Sequence, residues 1–267
     1  MKPRLIAVTD PEDPRLSAYR GVRERDLVGR HGLFVAEGKV VLRLLLSSGR
    51  FGVESVLLLE NRVAGVADIL EGSPRDVPVY VASAAVMDAV AGFHVHRGIL
   101  AIGRRGELPS AESLVQAAPA RAVLVVAVGI SNHDNVGAIF RNAAAFGADA
   151  VLLDKASCDP LYRKAIRVSV GAALTVPFAV ADDADALSDM LMAQGFECLA
   201  LSPDGERTLR AVKRGDRMAL FLGTEGEGLP AALMHRLETV RIDMAPGFDS
   251  LNVAAASAIA LHHLHDQ

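Results

Sequence analysis

The chain has 267 residues, 51% hydrophobic and 22% charged, a balance that excludes extended disorder and allows one large domain or two ordinary ones. It shows no uninterrupted apolar run of about 18 residues, and the opening MKPRLIAVTDPEDPR lacks the apolar stretch of a signal peptide, so a membrane span is not expected and a cytoplasmic location is. The net charge of −4 excludes whole-molecule attraction to polyanions, and Cys158 and Cys198 lack neighbours at metal-ligand spacing, as ordinary cysteines of a reducing compartment do.

The charge is unevenly spread. Residues 1–108 hold 15 Lys+Arg against 13 Asp+Glu, and the remainder holds 13 against 19. In the slightly basic first part Arg15, Arg20, Arg23, Arg25 and Arg30 cluster, opposed by Glu24 and Asp26. A solvated helix face explains that cluster as well as an RNA contact does.

Two blocks are readable along the chain. Residues 1–106 alternate helical patterns with the short apolar runs Val40–Leu46, Val56–Leu59, Val79–Val81 and Ile99–Ile102, the pattern of a small α/β domain. Residues 107–120, with two prolines and little apolar periodicity, read as a linker with room for a short helix. From 121 to 267 strand and helix signals alternate. Ala122–Val128 is a continuous valine-rich run, as in a parallel strand covered on both faces. A helix follows from Asn135, read as its cap, to Phe146, with Gly147 as the stop. Then come a strand at Ala150–Leu153, a helix at Leu161–Val170, a strand at Ala173–Val180 interrupted by Pro177, and a helix at Ala184–Gln194. Strands at Cys198–Leu201, Met218–Leu222 and Val240–Asp243 and a last helix from Ser250 complete an open parallel sheet with helices on both faces.

Ligands of such sheets bind beyond the carboxyl ends of the strands. The segments there are GISNHDNVGAIFRNAAAFGAD, GTEGEGLP and MAPGFDSLNVAAAS. In the second, Gly223, Gly226 and Gly228 permit close backbone approach, while Glu225 and Glu227 repel phosphates, so a ligand with a cationic centre fits better than a nucleotide polyphosphate. Asn135 and Arg141 place an amide and a guanidinium near a helix start, where phosphate or ribose contact and ordinary capping are both open readings. Ser250 is a candidate cap for the last helix, with Asn252 pointing back toward the site. His94, His96, His262, His263 and His265 do not form a ligand set, and no metal is expected.

Taken together, Asn135–Gly147, Leu220–Leu229 and Ile242–Val253 resemble, in order and spacing, the three motifs of the SpoU/TrmH-type family of RNA ribose 2′-O-methyltransferases of the SPOUT class. Asp159-Pro160 and Arg167–Gly171 fit as well, whereas Asp243 stands where the family has proline. Phe34–Gly38 and His96–Ala101 are similar to the family's accessory, ribosomal-protein-like RNA-binding domain.

The resemblance implies a parallel sheet threaded into a trefoil knot, with S-adenosylmethionine held around Leu201, Gly223, Gly228, Ile242, Met244 and Leu251. It also implies catalytic roles for Asn135, Arg141, Glu225, Ser250 and Asn252, a homodimer through the C-terminal domain with both subunits serving each site, and a structured RNA substrate, ribosomal before transfer RNA. A catalytically silent RNA-binding or ribosome-assembly protein of the same fold, and a methyltransferase acting on a base, are the alternatives.

Overall fold

The computed structural model describes residues 4–20, 24–72, 74, 76–92, 95–247 and 249–265, with the backbone alone at 24–26; Arg23, His94 and Phe248 lie outside this set. The chain forms two compact units, residues 1–107 with 161–175 and residues 108–160 with 176–267. In chain order the elements begin β1 (Leu5–Val8), α1 (Glu24–His31), β2 (Leu33–Glu37), α2 (Lys39–Ser48), β3 (Gly52–Leu59), α3 (Ala67–Glu71), β4 (Val79–Ala82), α4 (Ala84–Ala91) and β5 (Ile99–Arg104). They continue α5 (Ala111–Ala117), β6 (Ala122–Ala127), α6 (His133–Ala145), β7 (Ala150–Asp154), α7 (Arg163–Val168), β8 (Phe178–Ala181), α8 (Ala184–Ala193) and β9 (Glu197–Leu201). The last are β10 (Arg207–Thr208), β11 (Arg217–Leu222), α9 (Ala231–Met234), β12 (Glu238–Arg241) and α10 (Val253–His265).

The first unit holds a five-stranded sheet in the order β1-β4-β3-β5-β2, with β5 antiparallel to both of its neighbours. Its core includes Leu16, Leu57, Met87 and Ile102, all fully buried. The apolar run Val40–Leu46 is helical. Its buried members Val41, Leu42 and Leu45 fall three and four residues apart, the spacing of one helix face rather than of a pleated strand. Helix α7 belongs to this unit although its residues lie far along the chain, and Arg163 donates from Nε and Nη2 to Glu37 Oε2 at 3.1 and 2.8 Å.

The second unit holds seven parallel strands in the order β10-β12-β9-β11-β6-β7-β8. Strands β6 and β7 are buried at every position, which is why their sequences are apolar without alternation. Phe140 of α6 meets Phe178 of β8 edge-on with ring centroids 5.6 Å apart. The stretch 107–120 holds α5, capped by Ser110 accepting from Ser113 N at 3.1 Å, and Val115 is buried in the second unit's core.

Among the boundaries that differ from the sequence expectation, three have a local hydrogen-bonding cause. Helix α6 starts at His133 because the side chain of Asn132, not of Asn135, caps it, accepting from Asp134 N at 2.9 Å. Residues Ala172–Leu174 form a 3₁₀ turn, and β8 begins only after Pro177, which lacks the N–H a ladder needs but accepts from Val151 N at 2.9 Å. Helix α10 starts at Val253, with Asn252 Oδ1 accepting from Ala254 N at 2.9 Å, so Ser250 does not cap it.

Candidate active site

Because the strands of the second unit are all parallel, the loops after β6, β9, β11 and β12 leave from the same edge of the sheet. Close backbone approaches shape them. A Cβ on Gly223 would lie 2.3 Å from the carbonyl carbon of Gly228 and from Leu229 N, so only glycine fits where the β11 loop folds back on itself. Thr224 and Gly228 close that loop with reciprocal backbone hydrogen bonds of 3.2 Å. At the loop after β9, a Cβ on Gly205 would stand 2.4 Å from the backbone of Val240.

The loops after β9, β11 and β12 enclose a cavity of about 820 Å³, within the range of ordinary ligand pockets. Leu201, Gly223, Gly228, Ile242, Met244 and Leu251, the positions expected around a cofactor, all line it. Glu225, Ser250 and Asn252 line it too.

At one side of the cavity three side chains interlock. Asn135, buried in the first turn of α6, donates from Nδ2 to Glu225 Oε1 at 2.9 Å. Asn252 donates from Nδ2 to Asn135 Oδ1 at 3.1 Å and also to Glu225 Oε1. Each amide thus uses both ends, and one carboxylate oxygen is held by two donors from distant parts of the chain.

Arg141 is not part of this group. It lies six residues beyond Asn135 on α6, about 120° around a helix of 3.6 residues per turn. The side chain is exposed, outside the cavity lining, and makes no hydrogen bond or ion pair among the described residues. Asn142, by contrast, shares the stripe of Asn135 and binds α10, donating to Ala254 O and Ser257 Oγ at 2.8 Å each.

The lining adds groups that the sequence reading did not single out. Ser202, Pro203 and Asp204 follow β9, and Asp249 precedes Ser250. The signal for the first three was there: they are a polar Ser-Pro-Asp-Gly turn immediately after a strand. With Glu225 and Glu227, Asp204 and Asp249 give the cavity four carboxylates and no lysine, arginine or histidine among its described lining residues.

Beneath the β6 loop lies a further unanticipated feature. Asp154, buried at the end of β7, accepts from Gly129 N and Ser157 N at 2.9 Å and from Ser157 Oγ at 2.7 Å, while Ile130 N donates to Ser157 Oγ at 3.0 Å. This fixes the turn that leads into α6 and hence Asn135.

Other titratable groups stand apart. Burial, with the charge of Asp159 beside it, pushes the Cys158 thiol up to about 12, and burial with Glu197 does the same for Cys198, so neither is poised as a nucleophile. His262 and His265 face the ring of Phe146, and His263 Nε2 lies 2.9 Å from Val212 O. Among the described residues no three His, Cys, Asp or Glu side chains are grouped to hold a metal, and no helix is long and apolar enough to cross a membrane.

Residues 122–262 match the SpoU rRNA Methylase family. An uncharacterized tRNA/rRNA methyltransferase of Mycobacterium bovis is 42% identical over 265 residues, covering 96% of this chain and 90% of the relative. The 23S rRNA (guanosine-2′-O-)-methyltransferase RlmB of Xanthomonas campestris is 31% identical over 70% of this chain and 77% of its own length. In fold, the AdoMet-bound rRNA methyltransferase from Sinorhizobium meliloti superimposes with a TM-score of 0.84 over 98% of both chains at 22% identity. The matched residues include every strand of the parallel sheet and all three cavity loops, and the chain belongs to the SpoU rRNA methylase family.

Proposed function

We propose that this protein methylates a ribose 2′-oxygen of a structured RNA, ribosomal before transfer RNA, using S-adenosylmethionine. The observation that carries the reading is the coincidence of two things in one cavity: six backbone-rich cofactor positions and the Asn135–Glu225–Asn252 group. The lining suits the cofactor chemically. Four carboxylates with no cation favour a ligand bearing a sulfonium and an ammonium, and the close-packed β11 loop offers backbone groups rather than bulk. Leu201, Gly223, Gly228, Ile242, Met244 and Leu251 would hold the cofactor, which when bound supplies an electrophilic methyl on a good leaving group.

The chain's own residues then have to seat and polarise a weakly acidic hydroxyl. Glu225, fixed by two amide donors, orients the β11 loop against the acceptor side, and Ser250 and Asn252 complete the wall. A guanidinium offers five donors and no acceptor, so the role of Arg141 is to bind the phosphate next to the target ribose and stabilise charge developing on the 2′-oxygen, not to remove the proton. Its exposed position outside the lining supports a homodimer in which Arg141 of one copy serves the cavity of the other. The outward face of α10, with Ile259 43% exposed, supplies apolar surface for that pairing.

The test is transfer of radiolabelled methyl from S-adenosylmethionine to bulk ribosomal and transfer RNA, followed by nucleoside analysis. Label in a 2′-O-methylated nucleoside supports the proposal. Label on a base overturns the acceptor, and cofactor binding without label in either pool favours the silent RNA-binding alternative.

A further inference from the structure

We infer that Arg241 is a positioning residue for the cofactor: its guanidinium fastens the turn after β9 to the segment after β12, and so sets the spacing of two walls of the cavity. The inference rests on S-adenosylmethionine occupying that cavity.

The strand pairing shows why the turn needs a fastening. β12 lies between β9 and β10, with Val240 opposite Leu201 on one side and opposite Arg207 on the other. Residues 202–206 therefore leave β9, pass across the end of β12 and enter β10 on its far side. The crossing is close. A Cβ on Gly205 would stand 2.4 Å from the carbonyl carbon of Val240 and 2.6 Å from Arg241 N, so a side chain there would lift the turn off the strand.

Three residues of β12 hold the turn down. Ser202 N donates to Val240 O at 2.9 Å, and Glu206 N donates to Thr239 Oγ1 at 3.1 Å. Arg241 Nη1 donates to Gly205 O and to Glu206 O, at 2.8 Å each. The arginine bonds are charge-assisted, and they use both hydrogens of one nitrogen on two successive carbonyls. On its other side Arg241 Nε lies 3.5 Å from Asp243 Oδ1, with the two side chains 37% and 43% exposed. A pair so open to water adds little stability of its own. Its effect is to orient the guanidinium plane so that Nη1 faces the turn.

Around this clamp the chain alternates in role. Arg241 and Asp243 pair with each other, whereas Ile242 and Met244 line the cavity. In the crossing turn, Ser202, Pro203 and Asp204 line the cavity immediately before the two carbonyls that Arg241 holds. One side chain outside the lining thus ties together two stretches that form it. A ligand entering between those stretches finds them already spaced, and the entropy of ordering the turn is not charged against its binding.

The test is calorimetric S-adenosylmethionine binding to the full chain, with thermal melting and amide hydrogen exchange of the unliganded protein. Arg241→Ala should bind the cofactor about 10-fold more weakly, the scale of losing charge-assisted bonds. The amides of residues 204–206 should exchange faster, while those of β6 and β11 keep their protection. In methyl transfer the KM for cofactor should rise by the same factor, with kcat at saturating cofactor within about twofold of wild type, the pattern of lost uniform binding. Arg241→Lys keeps the stem and the charge, so it carries the test if the alanine variant does not fold. Its single ammonium cannot reproduce the fork that serves two carbonyls and Asp243, and it should still bind cofactor about threefold more weakly. Wild-type affinity in a folded Arg241→Ala, or in Arg241→Lys where the alanine variant does not fold, overturns the positioning role. So does a fall in kcat with cofactor affinity unchanged. Gly223→Ala separates this inference from the reading on which it rests. If Gly223→Ala loses cofactor while Arg241→Ala keeps it, the clamp falls and the cavity assignment stands; if both keep wild-type affinity, the cofactor lies elsewhere and both fall.

Discussion

Asn135 and Glu225, 90 residues apart in the chain, meet through an Asn135 Nδ2 to Glu225 Oε1 hydrogen bond of 2.9 Å, and Asn252 closes the group from a third segment. Asn135 is the only one of the three that is buried, so it is the member whose loss cannot be made good by water. Asn135→Ala should destabilise the protein by about 1–3 kcal/mol, through the polar groups left unpaired. Asn135→Asp should cut methyl transfer further, because a second carboxylate then faces Glu225. Urea denaturation together with initial rates separates the two effects; equal rates in the two variants would count against the electrostatic account.

Gly223→Ala tests the cofactor assignment. The added Cβ would meet the Gly228–Leu229 backbone at 2.3 Å, which the closed loop can relieve only by moving away from the cavity wall. Calorimetry should show loss of S-adenosylmethionine binding with the circular dichroism of the fold retained. Retained cofactor affinity would place the cofactor elsewhere.

Arg141→Ala should lower kcat by about 10²–10³ while leaving cofactor affinity unchanged, since the side chain lies outside the lining of the cavity. Arg141→Lys should recover little, because a point charge does not reproduce two-pronged phosphate binding. A variant that loses cofactor binding in parallel with turnover would refute this division of labour.

With their thiols pushed up to about 12, Cys158 and Cys198 should resist alkylation. At pH 8 the thiolate fraction is on the order of 10⁻⁴, so iodoacetamide should label neither in the folded protein and both after denaturation. Cys158→Ser should leave methyl transfer intact. Rapid labelling of native Cys158 would show that its surroundings are less desolvated than the structure has them.

How much of this was legible beforehand follows from the range of the forces involved. Continuous apolar runs marked β6, β7 and β11 because strands covered on both faces have no polar side to alternate. The glycines and acids after β11 marked a loop built for a ligand, and the order of three motifs named the family. Local capping was less legible: Asn132 and Asn135 are chemically identical candidates three residues apart, and the one that caps is decided by which amide Glu225 and Asn252 engage.

The sequence by itself determined the alternation of strand and helix, the loops that carry chemistry and the identities of their polar residues, since these depend on periodicity and side-chain type. Tertiary structure alone decided that the β9 turn with Asp204 joins the cavity wall and that Asp154 ties down the turn before α6. It alone also decided that α7 packs within the first unit and that Arg141 stays outside the cavity lining. Strand order and helix packing set those relations between residues distant along the chain, and neither composition nor spacing encodes them locally.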